Sequence, residues 1–285
     1  MDPQFWLIQA FNGVSYGALL FLLGSGLSLI FGVMRIVNLA HGSYFLLGGY
    51  VALTVIWTTG SWLLALPVAA LTVAVLGVLM QWAFLRPLGF DPLRQVLLTV
   101  GFAFLFQQAA LDIWTGNNFD ISPPDALNRS IVVGGLYLPL YRIFMIGAAL
   151  AIGIILWLAM ERTRIGAMVR ATVDDAEMAR GVGIDTARVS TFIFALGAFL
   201  AALGGVIGGA FLGVYPGLDF EILPLAFAVV IIGGMGSLGG AAIGALLVGL
   251  ADNFGKALFP EVSYFTLYAP MALILAVKPT GLFGR

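Results

Sequence analysis

The sequence predicts an all-α integral membrane protein, a polytopic bundle of eight or nine transmembrane helices. Of its 285 residues 61% are hydrophobic and only 9% are charged, against about 45–50% and about 25% in soluble domains. Mean hydropathy is +1.06. Such a composition cannot cover the surface of a water-soluble domain with polar groups. A β-barrel is disfavoured because the apolar runs are continuous and do not alternate with a period of two.

Uncharged runs long enough to cross about 30 Å of hydrocarbon define the individual spans. They predict helices at Phe5–Met34, Tyr44–Trp57, Trp62–Phe84, Val96–Trp114, Tyr141–Met160, Thr191–Leu212, Ile222–Met235, Leu238–Phe254 and Tyr264–Val277. The Ile222–Met235 run is short and leads directly into a glycine-rich break. Whether this run crosses or re-enters stays open, which leaves eight or nine spans.

The distribution of Lys and Arg predicts the orientation, because cytoplasmic loops carry an excess of both. With the N-terminus outside, ten basic residues face inward and three face outward. The inner ones are Arg35, Arg86, Arg94, Arg162, Arg164, Arg170, Arg180, Arg188, Lys278 and Arg285. The bias predicts a periplasmic N-terminus and a cytoplasmic C-terminus, which favours nine crossings over eight.

Two loops interrupt what is otherwise one membrane domain over residues 1–285. The outer loop, residues 115–140, contains the segment IVVGGLYL and is expected to form a short hairpin there. The inner loop, residues 161–190, is expected to be helical over Ile165–Arg180, with apolar residues at helical spacing on one side. That helix either lies in the headgroup layer or docks into a cytoplasmic motor.

Several function classes lack the residues they need. The chain has no cysteine and one histidine, His41, so an intramembrane enzyme or a metal centre has almost no candidate groups. The nearest approach to a phosphate-binding loop, Gly249–Ala257, has the wrong glycine spacing and no terminal hydroxyl. Only Asp112 and Asp252 fall within the predicted spans, near their ends, so an ion-coupled carrier acting alone is disfavoured. The energy source is expected on another chain.

Polar and glycine-rich breaks between the apolar runs are the candidates for the translocation pathway. Asn38, His41 and Gly42 form either an unwound segment beside the pathway or a turn at the inner interface in which Asn38 caps the next helix. The later break supplies Gly233, Gly234, Gly236 and Ser237. A weak similarity between His41-Gly42-Ser43 and Met235-Gly236-Ser237 is compatible with an internal repeat or with chance.

The outer segment that contains Asp219 and Glu221 is acidic and turn-forming. These two carboxylates could face a basic side chain on a binding protein or attract a substrate ammonium group. The alternative is that they are solvated loop charges.

Five phrases together resemble one family, the LivH-type permeases, which are membrane subunits of ABC importers for branched-chain amino acids. The inner loop contains R-A-x-x-x-D-x-x-x-A-x-x-x-G-I, formed by Arg170, Ala171, Asp175, Ala179, Gly183 and Ile184. The others are Phe11-Asn12-Gly13, the stretch Ile36–Gly42, the stretch Gly233–Ala241 and the ending Lys278–Arg285. The inner loop departs from the strict importer consensus E-A-A-x-x-x-G.

The resemblance implies a division of labour in a bacterial inner membrane. A periplasmic binding protein would deliver a hydrophobic amino acid to a pathway between this chain and a related LivM-type permease, and lipid would surround both. Two cytoplasmic ABC ATPases would bind the ATP, so this chain needs no cofactor of its own and no nucleic acid. The coupling residues would be Arg170, Asp174, Asp175, Glu177, Ala179 and Gly183. The same architecture also serves urea, short amides and other amino-acid-like solutes.

Overall fold

In a computed structural model, residues 3–89 and 91–284 are described, with the side chains of residues 264 and 267 left out. The first half of the chain forms α1 (Pro3–Met34), α2 (His41–Thr59), α3 (Trp62–Met80) and α4 (Pro92–Trp114). A π-helical turn, Gln81–Leu85, and a 3₁₀ turn, Arg86–Leu88, extend α3. A two-stranded antiparallel hairpin, β1 (Ser130–Val133) and β2 (Leu136–Pro139), follows α4. The sequence prediction of a hairpin at this place is therefore confirmed.

The second half begins with α5 (Leu140–Arg162), which runs from the hairpin to a pair of short helices at the opposite end of the bundle. These are α6 (Arg164–Asp174) and α7 (Ala176–Gly181). The remaining helices are α8 (Thr186–Leu212), α9 (Leu218–Gly233), α10 (Leu238–Leu258) and α11 (Ser263–Val277), with a 3₁₀ turn at Pro260–Val262. We call the end with β1 and β2 the hairpin face, and the end with α6 and α7 the elbow face.

Each of the nine predicted apolar runs coincides with a helix, although the Ile222–Met235 run extends two residues beyond the end of α9. Within the described residues, six helices are long and apolar enough to cross a membrane: α1, α3 with its extension, α4, α5, α8 and α10. The helices α9 and α11 have only 16 and 15 residues, and α2 has 19. The structure thus shows an all-α polytopic membrane protein, while the number of eight or nine crossings stays a prediction.

Short polar side chains begin several of these helices by accepting a backbone N–H of the first turn. Ser61 caps α3, Asp91 caps α4, Thr163 caps α6, Asp185 caps α8 and Ser237 caps α10. These caps determine the first residue of each helix. An apolar run indicates the length of a span but not the residue at which its helix begins.

The core of the bundle is formed by α1, α2, α8 and α9, with α10 packed along α1. Small residues allow these helices to approach closely. A Cβ on Gly48 of α2 would lie 2.5 Å from the Cα of Ala202 on α8. The helices α4 and α5 expose most of their surface, as expected for helices that face lipid or another subunit.

Candidate transport and coupling sites

The segment between α1 and α2 turns back along α1 instead of ending at the elbow face. Residues 35–40 have no helical structure, and Arg35 has a φ of 53°. The imidazole Nε2 of His41 lies 3.0 Å from the carbonyl oxygen of Leu23. Leu23 precedes Met34 by 11 residues, or about 16 Å of helix rise. The first turn of α2 therefore lies inside the bundle, and the segment before it is unwound.

Asn38 and His41 are both fully buried. The Asn38 side-chain oxygen accepts the N–H of Ala40 at 3.1 Å, and no side chain caps α2, so the capping role considered for Asn38 is not what the structure shows. Since a carbonyl can only accept, Nε2 of His41 must carry the proton in its bond to Leu23. The other ring nitrogen, Nδ1, and the amide nitrogen of Asn38 have no hydrogen-bond partner.

The first turns of α2 and α9 meet beside this segment. The Ser43 hydroxyl donates to Asp219 Oδ2 at 2.9 Å. Gly42 allows the approach, because a Cβ there would lie 3.1 Å from Leu223 Cβ and closer still to the carbonyl oxygen of Asp219. The structure thus brings together residues 176 positions apart in the sequence.

Asp219 and Glu221, the two acidic candidates for docking a binding protein, differ sharply in accessibility. Asp219 is 2% exposed, so its carboxylate is not on the surface of this chain. Glu221 is exposed and accepts the hydroxyl of Tyr215 at 2.8 Å. Burial, followed by this hydrogen bond and the charge of Glu221, raises the pKa of the Tyr215 hydroxyl to about 12. Only Glu221 keeps the exposure that a docking role needs.

The glycine-rich break lies at the opposite end of α9. Gly234 and Gly236 have φ values of 104° and 83°, a region that residues with a Cβ rarely adopt. Gly233 and Gly234 are buried. Ser237 ends the break by accepting the N–H of Gly240 at 3.0 Å. Its backbone oxygen accepts the Ser28 hydroxyl of α1 at 3.4 Å.

The C-terminal segment packs onto this break. The N–H groups of Leu282 and Phe283 donate to the carbonyl oxygens of Ile232 and Gly233, at 2.9 and 3.0 Å. The last carbonyls of a helix have no partner within the helix, so this segment satisfies two of them at the end of α9. The glycine-rich break and the C-terminal segment, which are separate motifs in the sequence, therefore form one structural unit.

The weak similarity between residues 41–43 and 235–237 has a limited structural counterpart. In both places the glycine lies against the backbone of a neighbouring helix, Gly42 against Asp219 and Gly236 against Gly32. The serines differ, because Ser43 is inside α2 whereas Ser237 precedes α10.

At the elbow face, α6 and α7 form two helices where the sequence predicts one over Ile165–Arg180. Asp175 separates them with an extended backbone, at a φ of −154°, and its Oδ1 accepts the N–H groups of Glu177 and Met178 at 2.9 and 3.0 Å. The short-range capping bonds of an aspartate outweigh the helical periodicity here. We call the unit α6–Asp175–α7 the elbow.

The elbow has one side against the bundle and one side free. Val169 packs in a buried cluster with Leu29 of α1, Leu156 of α5 and Ile193 of α8. Arg170 bonds the Met160 carbonyl and lies 3.7 Å from Glu161.

The outward side carries the acidic groups. Asp174, Glu177 and Met178 are exposed, whereas Ala179 is buried. Gly183, at a φ of 90°, follows the elbow. Arg164, Arg170 and Arg180 of the elbow are exposed as well, so the elbow joins three transmembrane helices to an exposed surface of mixed charge.

Sequence reasoning missed two buried polar features. Gln81 and Thr191 join α3 to α8 through a 2.6 Å hydrogen bond. Tyr50 is fully buried, and its hydroxyl has no hydrogen-bond partner. The signal in the sequence was the spacing of seven residues between Ser43 and Tyr50, which places both side chains on one side of a helix. Among the described residues, no group of three or more His, Cys, Asp or Glu is placed to hold a metal ion.

Comparison with known sequences shows the relationship of the whole chain. A sequence profile described as the permease component of branched-chain amino acid transport systems matches residues 9–275. The chain belongs to this permease family. It is 32% identical over 310 residues to the high-affinity branched-chain amino acid transport system permease protein LivH of Salmonella typhimurium, covering 100% of this chain and 98% of the relative.

Two further relatives extend the comparison. The permease is 27% identical to BraD of Pseudomonas aeruginosa over 98% of its own length and 96% of that protein. It is 26% identical to LivM of Escherichia coli over 92% of its own length and 67% of that protein. No solved structure matches. The LivH and LivM matches indicate a set of related permease sequences.

Proposed function

We propose that this permease is a membrane-spanning subunit of an ABC importer that carries branched-chain amino acids across the bacterial inner membrane. The relatives LivH and BraD are named as branched-chain amino acid permeases. Because the chain is also similar to LivM, we propose a related second permease as its partner. Two ABC ATPases that bind the ATP, and a periplasmic binding protein, complete the proposed assembly.

The orientation in this proposal has the elbow face in the cytoplasm and the hairpin face in the periplasm. The N-terminus is then periplasmic and the C-terminus cytoplasmic. Support comes from the basic residues, since Arg162, Arg164, Arg170, Arg180 and Arg188 all lie on or next to the elbow. Cytoplasmic loops carry such an excess.

The elbow is the observation that carries the proposal. Its buried side contacts α1, α5 and α8, so a displacement of the elbow must displace the ends of these helices. Its free side exposes Asp174, Glu177 and Met178, and Arg180 is exposed as well, which offers charged groups of both signs and an apolar side chain. In the proposed assembly this surface contacts an ATPase subunit. When the ATPase subunits close on ATP, the elbow transmits their movement to the membrane helices.

The test is ATP hydrolysis by the purified complex in the presence of its binding protein and leucine, isoleucine or valine. We expect the double variant Asp174→Lys with Glu177→Lys to lose substrate stimulation, because two acidic groups of the exposed surface become basic. Asp175 is left intact, since its cap bonds hold α7 in place. The matched control variant Glu261→Lys reverses the charge of an exposed carboxylate outside the elbow. It should show the same substrate stimulation as the unaltered permease. Full substrate stimulation in the double variant would show that the acidic groups of the elbow do not couple ATP hydrolysis to transport.

The translocation pathway is proposed to pass the unwound segment with Asn38, His41 and Gly42 and the break with Gly233, Gly234, Gly236 and Ser237. The first group is buried at the start of α2 and the second links α9 to α10. Backbone groups freed at such breaks can bind a zwitterionic substrate. The same ATP hydrolysis assay is repeated with urea and a urea-binding protein in place of the amino acid and its binding protein. If urea stimulates hydrolysis and the branched-chain amino acids do not, the substrate class is reassigned.

A further inference from the structure

A buried carboxylate without a countercharge lies between the first turns of α2 and α9. We propose that Asp219, Ser43 and Tyr50 form a binding site for a monovalent cation inside the membrane domain. The cation is either an alkali-metal ion or the α-ammonium group of the transported amino acid, and the second source rests on the proposed function.

The surroundings of Asp219 offset part of the cost of burying its negative charge. It occupies the first turn of α9, and its carboxylate accepts a hydrogen bond from Ser43 in the first turn of α2. The N-terminus of each helix carries a partial positive charge that stabilises an anion. Two helix starts and one hydroxyl therefore converge on this carboxylate.

The second carboxylate oxygen has no such bond. Asp219 Oδ1 is buried without a hydrogen-bond partner, and no ion pair of the described residues includes Asp219. The basic residues near the hairpin face are engaged elsewhere, with Arg142 bonded to Asn12 and Lys256 paired with Asp252 at 2.7 Å. An ionised group inside a membrane protein is costly and is normally paired, so the ionised form of Asp219 requires a positive partner beside it.

Tyr50 is a further buried polar side chain on the side of α2 that carries Ser43. It follows Ser43 by seven residues, so the two side chains project from the same side of α2. Side chains on a helix incline towards its N-terminus, which directs the Tyr50 hydroxyl back towards Ser43. Tyr50 is fully buried, and its hydroxyl has no hydrogen-bond partner.

The Tyr50 ring is fixed by its surroundings. It stacks on Trp114 with ring centroids 5.0 Å apart and an interplanar angle of 20°. The indole N–H of Trp114 in turn donates to Thr54 at 2.7 Å. The position of the hydroxyl is thus determined by packing.

The oxygen set determines the class of ligand. A carboxylate oxygen and two hydroxyl oxygens suit a hard cation or an ammonium group, which bind oxygen ligands. A single carboxylate balances one positive charge, which favours a monovalent ligand. The chain leading into α9 approaches the hairpin face, because Val214, five residues before Asp219, pairs with Phe119 in the outer loop. In the proposed orientation a cation would enter from the periplasmic side.

Thermal unfolding of the purified complex, without its binding protein, tests the site. NaCl, KCl or N-methyl-D-glucamine chloride is titrated at constant ionic strength, and leucine and N-acetyl-leucine are titrated separately in N-methyl-D-glucamine chloride. A ligand that binds only the folded state raises the unfolding temperature. We expect a rise with an alkali ion, or with leucine but not N-acetyl-leucine, and the pattern identifies the source of the positive charge.

The variants link that rise to the site. We expect Asp219→Asn to abolish the rise and Tyr50→Phe to weaken the apparent affinity by at least about tenfold, as expected for the loss of one bond to a charged group. The control Glu221→Gln changes an exposed carboxylate two residues away and should keep the full rise. Should Asp219→Asn fail to assemble, Tyr50→Phe decides, since it removes only one oxygen.

The proposal is overturned if no cation raises the unfolding temperature of the unaltered complex, or if Asp219→Asn or Tyr50→Phe responds as strongly as Glu221→Gln. This result would leave the permease assignment intact, because the elbow variants test that assignment through ATP hydrolysis.

Discussion

Replacement of Gly42 by alanine should separate α2 from α9 and break the hydrogen bond between Ser43 and Asp219. The added methyl group would overlap the carbonyl oxygen of Asp219, and α2 must withdraw by about 1 Å to restore an ordinary contact. The Ser43–Asp219 distance of 2.9 Å then becomes about 4 Å, beyond hydrogen-bonding range. Neither neighbour can yield easily, since one is helix backbone and the other is the Cβ of Leu223.

The expected cost has two parts. Overpacking in a close helix contact costs about 1–3 kcal/mol. A buried carboxylate that loses its hydrogen bond adds about 1–3 kcal/mol. We therefore expect Gly42→Ala to destabilise the permease by about 2–6 kcal/mol. Thermal unfolding in detergent should show this as a decrease of several degrees.

Two other glycine variants separate the packing cost from the cost of the lost hydrogen bond. Gly48→Ala introduces a comparable overlap between α2 and α8 but leaves the Ser43–Asp219 bond in place, so it should cost only the packing part. Gly101→Ala has open space around the new methyl group and should be neutral or slightly stabilising. If Gly42→Ala unfolds at the same temperature as Gly101→Ala, the close approach of α2 and α9 is not what holds their first turns together.

The remaining predictions concern the two faces of the bundle. Gly234→Ala forces an alanine into a φ of 104° against the C-terminal segment, so unfolding should become easier by about 1–3 kcal/mol; Gly239→Ala, in open space, is the control. Asp175→Ala removes the cap of α7 and should cost about 0.5–2 kcal/mol, measured as faster proteolysis of the elbow than in Asp174→Ala. Tyr141→Phe removes a 2.6 Å hydrogen bond from α5 to α8 and should lower stability in thermal unfolding by about 0.6–1.7 kcal/mol; no change would show that water replaces the lost bond.

Sequence patterns predict the helices and the hairpin well, because each depends on residues close together in the chain. The hairpin forms at Gly134 and Gly135, whose φ values of 59° and 84° suit the tight turn that two glycines favour. The elbow was predicted as one helix because its apolar spacing continues across Asp175. An aspartate that can cap the following turn was the local signal for a break.

The buried polar contacts could not be predicted from the sequence in this way. Ser43 and Asp219 belong to different apolar runs and approach each other only because residues 35–40 turn back along α1. Nothing in the periodicity of either run indicates that turn. The basic residues supported an orientation that placed Asp219 in an outer loop, whereas packing against Ser43 buries it.

The depth at which α2 starts constrains the order in which the chain is assembled in the bilayer. The N–H of Leu39 is satisfied by Thr99 of α4 at 3.2 Å, and Ser43 is satisfied by Asp219 of α9. When helices enter the membrane in chain order, α2 arrives before both partners. Unpaired polar groups are expensive in hydrocarbon, so the first turn of α2 cannot settle at its final depth until α9 has been inserted. Insertion and seating of α2 are therefore separate steps, and a chain interrupted before α9 should hold α2 in a shallower, protease-accessible position.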